Sequence, residues 1–278
     1  KYCTYLGHPD KIKSFLKINK IYEMIVILNN HEHDKLLEII GQYAMLDICI
    51  KIIPDMYESI SGQARINVLN DIPLMDINPD IMTEFQSLLK RTIDIVLSII
   101  SIIIFCPLSI IFMILILINS PGGIFYKQIR LGKNGIKYQV YKFRSMYKNS
   151  ENKTGPIWAD QGDRRITPIG KVMRKYHLDE IPQFYNVIKG QMSLVGPRPE
   201  RPAIIESLSK EIPYYTHRLK VKPGITGWAQ VRGFYDNNLA DVFTKLKNDF
   251  FYIENLSLIL DIKILLMTIL VMLKGEGR

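Results

Sequence analysis

The sequence predicts an α+β fold, mainly helical, with a small β element, a partial α/β unit in front of it and an apolar membrane segment between the two. Three observations predict this. The first 78 residues alternate apolar strand-like stretches with a helix-spaced one; Ile95 to Ser120 is a run of 26 residues without a charge; the remainder is basic and mixed, with one strand-like stretch among helical ones. The chain divides on these grounds into residues 1–78, 79–122 and 123–278. It opens on Lys1 without a signal-like leader, so it reads as part of a longer product.

In the first unit, Tyr22 to Leu28 reads as a strand and Asp34 to Tyr43 carries Leu36, Leu37, Ile39 and Ile40 at helical spacing. Ile48 to Ile53 is a second strand stopped by Pro54. This Rossmann-like β-α-β pattern lacks a glycine-rich fingerprint, which argues against a dinucleotide site and for a regulatory or structural role. Turn residues from Gly62 to Asn78 end the unit.

Ile81 to Arg91 is a polar linker or helix leading into the apolar run. As a straight helix, 26 residues measure about 39 Å, enough for a hydrocarbon core of roughly 30 Å. Pro107 interrupts the backbone bonding near its middle. Lys90 and Arg91 precede the run, and Lys127 and Arg130 follow it. Basic flanks stay cytoplasmic, so a basic pair on each side favours a segment that enters and returns on one face. A kinked spanning helix stays open beside it.

Beyond the run, Lys137 to Met146 is strand-like, and alternation puts Lys142 and Arg144 on one face. Ile169 to Tyr176 has helical spacing, and Pro182 to Ile188 is a helix closed by Gly190. Pro223-Gly224 marks a turn, and the chain is helical from Asp241 onward. Its apolar end, Ile264 to Leu273, is too short to span a bilayer and suits a core or an interface.

A net charge of +9 and a pI near 9.3 favour anionic partners. The cations are dispersed and form no recognised nucleic-acid-binding pattern, so nucleic acid is not among them. Cys3, Cys49 and Cys106 have neither metal-ligand nor disulfide spacing, consistent with a reduced cytoplasmic setting.

Two stretches concentrate the chemistry: His177-Leu-Asp-Glu-Ile-Pro-Gln183 and Gly196-Pro-Arg-Pro199. Asp179 and Glu180 stand where the first turn of a helix is expected. Acids there commonly just complement the helix dipole. The same positive potential keeps a carboxylate ionised, able to attack phosphorus or to hold magnesium. Arg198, between two prolines, suits a phosphate grip because its backbone has little freedom to lose. In isolation it also suits a solvated loop. Trp228 with Gln230 fits either a nucleobase or packing, and His177 either a proton shuttle or a structural role.

Together these segments resemble the bacterial sugar transferases, the monotopic polyprenyl-phosphate hexose-1-phosphate transferases. From Lys90 to the C-terminus the motifs read KRTID, FYKQIRLGKNG, YKFRSM, HLDEIPQFYNVIKGQMSLVGPRPERP, KPGITGWAQVRG and YIENLSLILDIKILL. In the first unit, IIPDMYE and DIPLMDIN resemble the domain preceding the catalytic unit in longer members, whose upstream transmembrane helices this sequence lacks.

The resemblance implies transfer of a hexose 1-phosphate from a UDP-sugar to undecaprenyl phosphate, with release of UMP. It assigns Asp179 as the nucleophile forming a phosphosugar-aspartyl intermediate and as a magnesium ligand, with Glu180 assisting. Arg198 falls to phosphate binding, Lys142, Arg144 and Arg174 to the surrounding cations, and Pro107 to the break of a re-entrant membrane helix. It implies a bacterial inner membrane enzyme with its catalytic domain and an interfacial C-terminal helix on the cytoplasmic face, in contact with membrane lipid. Exopolysaccharide, capsule or O-antigen synthesis would be initiated there. A homodimer stays open, as does the sugar. The competing expectation is a membrane-anchored, non-catalytic scaffold of a glycan assembly complex.

Overall fold

The computed structural model describes residues 21–27, 48–53, 82–119, 122–147, 163, 165–212, 214–233 and 239–274, the helical positions 35, 39 and 43, and the backbone of 66–69 and 72–76. Small sheets and a majority of helix make it a mainly helical α+β chain.

The front unit is a four-stranded sheet of order β1-β2-β4-β3. Strands β1 (Glu23–Val26) and β2 (Cys49–Ile52) pair in parallel, as the β-α-β pattern predicts. The turn-rich stretch expected to end the unit instead forms β3 (Ile66–Leu69) and β4 (Ile72–Asp76), an antiparallel hairpin. Pro73 hid it. This proline pairs with Val68, but among the described residues β2 pairs only with Met75 and Asp76, so no described partner on that side needs its missing N–H.

Helix α1 (Glu84–Asn119) absorbs both the linker and the apolar run, and continues through Pro107. Thr83 and Gln86 start it with a reciprocal capping box, Gln86 N–H donating to Thr83 Oγ1 at 3.3 Å and Thr83 N–H to Gln86 Oε1 at 3.1 Å. The helix is long and apolar enough to cross a membrane, and most of its isoleucines are unpacked.

Its basic entry is not a free topological signal. Lys90 Nζ reaches Asp261 Oδ2 at 2.5 Å and the Val195 carbonyl at 3.4 Å. Arg91 donates to the carbonyls of Val187 (2.7 Å) and Ile188 (2.9 Å), and buried Asp94 accepts from Ser193 Oγ (2.8 Å) and Leu194 N–H (3.1 Å). Arg130 on the far flank is likewise taken up by the domain, donating to the Pro199 carbonyl at 2.9 Å.

Strands β5 (Phe125–Leu131) and β6 (Lys137–Phe143) form a full antiparallel hairpin; only β6 was expected from sequence. Helices α2 (Pro168–Lys175) and α3 (Gln183–Ile188) follow the predicted spans, and Gly190 closes α3 at φ +82°. A short parallel pair, β7 (Ser193–Val195) and β8 (Gly224–Thr226), brackets α4 (Pro202–Glu211). The chain then forms α5 (Trp228–Val231), α6 (Leu239–Glu254) and α7 (Leu258–Lys274).

The main core joins Val140, Val187, Leu194, Trp228, Tyr252 and Ile264 from six elements. Helix α7 has one packed side and one bare side. Ile264 is fully buried, whereas Ile262, Leu266, Ile269 and Leu273 leave an apolar outer face bare.

Candidate active site

The acidic pair does not sit inside a helix. Leu178–Glu180 is a separate 3-10 turn, entered through His177 in the left-handed conformation (φ 55°) and left through Pro182 before α3 begins. The turn faces β6 because Asn186 of α3 is fully buried against that strand. Its amide donates to the Gln139 carbonyl at 2.7 Å and its Oδ1 accepts from Tyr141 N–H at 3.1 Å. That bonding sets the register by which the next residue, Lys142, reaches the acids. The sequence marks Asn186 only as a polar residue in an apolar helix.

Asp179 and Glu180 are 7% and 6% exposed, so both are desolvated carboxylates, yet they are treated differently. Glu180 Oε1 accepts from Lys142 Nζ at 2.6 Å and from Arg198 Nη2 at 3.0 Å. Asp179 has no side-chain hydrogen bond or ion pair among the described residues. Burial alone would raise Glu180, but Arg198 and Lys142 outweigh it and hold the group below the usual carboxylate range. Burial dominates at Asp179, with Lys142 and Arg174 opposing it and Glu180 adding to it, and pushes its carboxyl up. Glu180 in turn raises Arg198.

Arg174, in the last turn of α2, acts on Asp179 through its charge, and its Nη1 is buried with no hydrogen-bond partner among the described residues. An orphaned guanidinium nitrogen beside an uncommitted carboxylate leaves donors free for an anionic group. Arg144 lies just past the end of β6, so strand alternation no longer governs it; it is buried and forms no ion pair with either acid. Burial lowers His177. Trp228 is a packing residue: 7% exposed, stacked on Phe251 at 5.4 Å, with Arg232 4.6 Å from its ring centre. Gln230 donates to the Ile225 carbonyl.

The arginine-bearing loop is held by backbone contacts. The Gly196 amide donates to the Thr226 carbonyl, and the Pro197 carbonyl accepts from Gly224 N–H at 3.0 Å. A methyl group on Gly196 would lie 2.4 Å from the Lys222 carbonyl, and one on Gly224 only 2.1 Å from the Gly196 nitrogen. Glycine is required at both by the close approach of the chains.

Sequence reasoning missed a second charged cluster behind this loop. Glu200 is buried against Lys245 (2.7 Å), Arg130 (3.5 Å) and Arg218 (3.9 Å), and Arg218 lies 2.7 Å from Asp249. The last contact is Coulombic, because Asp249 Oδ2 has no aligned donor among the described residues. Burial would raise Glu200, but Lys245, Arg218 and Arg130 bring it down to about 2.

Residues 85–275 match the bacterial sugar transferase family profile. The chain is similar to UDP-N-acetylgalactosamine-undecaprenyl-phosphate N-acetylgalactosaminephosphotransferase of Aeromonas hydrophila, 41% identical over 238 residues, 86% of this chain and 55% of that protein. It is also similar to UDP-glucose:undecaprenyl-phosphate glucose-1-phosphate transferase of Escherichia coli (strain K12), 33% identical over 267 residues, 95% of this chain and 57% of the relative. A Streptococcus agalactiae relative (serotype III, strain NEM316), galactosyl transferase CpsE, is 35% identical over 261 residues, 87% of this chain and 57% of its own length. The chain thus spans about half the length of these curated relatives. With a match over most of its residues and a relative at 41% identity, this chain belongs to the bacterial sugar transferase family.

Proposed function

We propose that this chain transfers a hexose 1-phosphate from a UDP-sugar to undecaprenyl phosphate, releasing UMP, on the cytoplasmic face of a bacterial inner membrane. The observation that carries the reading is the division of labour between two buried acids. Glu180 is tied to Lys142 and Arg198, and Asp179 is left without a partner among the described residues.

In this mechanism Arg198 and Arg174 hold the donor's diphosphate in line with Asp179. A carboxylate oxygen of Asp179 attacks the sugar-bearing phosphorus, the bond from that phosphorus to the bridging oxygen breaks, and UMP departs with that oxygen. The acceptor's phosphate oxygen then attacks the same phosphorus, the Asp179–phosphorus bond breaks, and a polyprenyl-diphosphate sugar results. Glu180 anchors Lys142 and Arg198 while the phosphate changes hands. Arg144 belongs to the outer part of this cationic surround.

Magnesium fits the donor set in one way. Among the described residues no cluster of three or more His, Cys, Asp or Glu forms a cage. One free carboxylate, Asp179, with substrate phosphates and water is a usual magnesium environment. Bound there, the ion would offset the diphosphate's charge.

A re-entrant path for α1 belongs to the same reading. Asp94 near one end bonds Ser193 and Leu194, while Phe112 and Ile116 toward the other pack with Phe143, Met173 and Ile181. In a straight helix Asp94 and Phe112 stand about 27 Å apart. A spanning helix would carry Phe112 away from a domain on one side, whereas a helix turned near Pro107 keeps both ends on it. Initiation of an exopolysaccharide, capsule or O-antigen unit is the pathway this step would serve.

The test is UMP release by the purified chain with magnesium and undecaprenyl phosphate, across UDP-glucose, UDP-galactose and UDP-N-acetylgalactosamine. The expected result is lipid-dependent release with one donor, lost in Asp179→Asn. Turnover surviving in that variant would sink the covalent role, and silence with every donor would favour the scaffold.

A further inference from the structure

We propose that Arg218, with Arg130 and their buried acids, is a positioning device for Arg198; this rests on the reading that Arg198 grips the donor's phosphate. Four consecutive carbonyls of the loop are each bonded. Pro197 accepts from Gly224 N–H (3.0 Å), Arg198 from Arg218 Nη2 (3.0 Å), Pro199 from Arg130 Nη1 (2.9 Å) and Glu200 from Leu131 N–H (3.2 Å). Two of the four donors are guanidinium groups, and both are aimed by acids: Arg130 by Glu200, Arg218 by Glu200 and Asp249. Arg218 Nη1 also donates to Tyr215 Oη at 2.9 Å. One planar group therefore ties the Tyr215–Lys220 turn, helix α6 and the main chain of Arg198.

Stability alone is a poor reason for this arrangement. Burying two acids and three cations is costly, and apolar residues of similar volume would commonly do as well or better. What the charges supply is direction. A guanidinium fork fixes a carbonyl in distance and angle, and a lysine ammonium, a point charge on a flexible stem, does not. The loop backbone is thereby fixed before any ligand arrives, and the side chain of Arg198 leaves it toward Glu180, 3.0 Å away. The residues that aim the phosphate grip thus lie behind it, as far along the chain as Asp249 in α6.

The experiment is a double-mutant cycle of Arg198→Ala and Arg218→Lys in the full chain, read as turnover and donor KM with whichever UDP-sugar reacts, beside a thermal melt. A displaced grip of about 1 Å is expected to cost on the order of 10- to 100-fold in turnover. In the Arg198→Ala background, Arg218→Lys should then cost nothing more, since the residue it aims is gone. Losses that multiply in the double variant would make Arg218 merely structural, and turnover within twofold of wild type in Arg218→Lys would also overturn the proposal. If Arg198→Ala itself turns over normally, the phosphate-grip reading fails instead. Should Arg218→Lys not fold, Arg130→Lys, at the more accessible edge of the cluster, completes the same cycle: no added loss beside Arg198→Ala supports the positioning role, and multiplied losses overturn it.

Discussion

The molecule holds two charged clusters of the same formal make-up, each built on buried acids. Asp179 and Glu180 face Lys142, Arg174 and Arg198; Glu200 and Asp249 face Arg130, Arg218 and Lys245. Each holds two acids against three cations. In the rear cluster both acids have a cation within 2.7 Å. In the front cluster one acid takes two cations and the other, among the described residues, takes none. Composition therefore does not separate a reacting centre from a supporting one. Under the proposed mechanism the distribution of bonds does: a buried, uncommitted carboxylate costs stability, and such costs persist where the group has something to react with.

Breaking the front cluster should strike rate and spare the fold. Asp179→Asn is expected to lower turnover by about 10⁴-fold or more, in keeping with loss of a covalent nucleophile. Its melting temperature should be no lower than wild type, because a desolvated charge without a partner is being removed. A melting point well below wild type would show that Asp179 supports the fold after all.

Breaking the rear cluster should strike the fold as well as the rate. Lys245→Met leaves Glu200 without its nearest cation and should destabilise by about 3–5 kcal/mol, read by chemical or thermal unfolding. A loss below about 1 kcal/mol would place that pair with exposed ion pairs, which contribute little.

The rear cluster also makes stability depend on acid. With Glu200 at about 2 in the folded chain and near 4.3 unfolded, the unfolded state takes up the proton first as pH falls. The stability Glu200 contributes is present above that unfolded value and is lost on the way down to 2. Melts between about pH 5 and 2 should show the decline, and Glu200→Gln should flatten it. The smallest effect belongs to the start of the membrane helix, where Thr83→Ala removes one half of the capping box and should cost about 1 kcal/mol.

Much of the front cluster was legible in sequence because its parts are local. Asp179, Glu180 and Arg198 lie within one helix and one turn, and prolines announce the stiffness of the arginine loop. The spans of α2, α3 and β6 followed from periodicity and from Gly190. Other features were hidden for identifiable reasons. Arg130, Glu200, Arg218, Lys245 and Asp249 are scattered over more than a hundred positions, and each alone reads as a solvated charge. Lys90 and Arg91 look like a cytoplasmic flank, yet their bonds run to Asp261, Val187 and Ile188. The β3–β4 hairpin was masked by Pro73, whose cost disappears only once it is known which neighbour fails to pair with it.

Lys90 and Asp94 stand one turn apart where the apolar run begins, and between them they hold strand β7 along its length, Asp94 at Ser193 and Leu194 and Lys90 at Val195. Arg198 comes three residues later. In mechanical terms β7 is a short, stiff link clamped to a helix that is long and apolar enough to cross a membrane. A tilt or piston movement of that helix reaches the arginine loop through a few bonds, with no domain motion needed. Under the proposed function, bilayer thickness then becomes a control variable of the arginine loop. Turnover measured in bilayers of stepped acyl length would register it as an optimum, and a flat response would show that the link slips before it pulls.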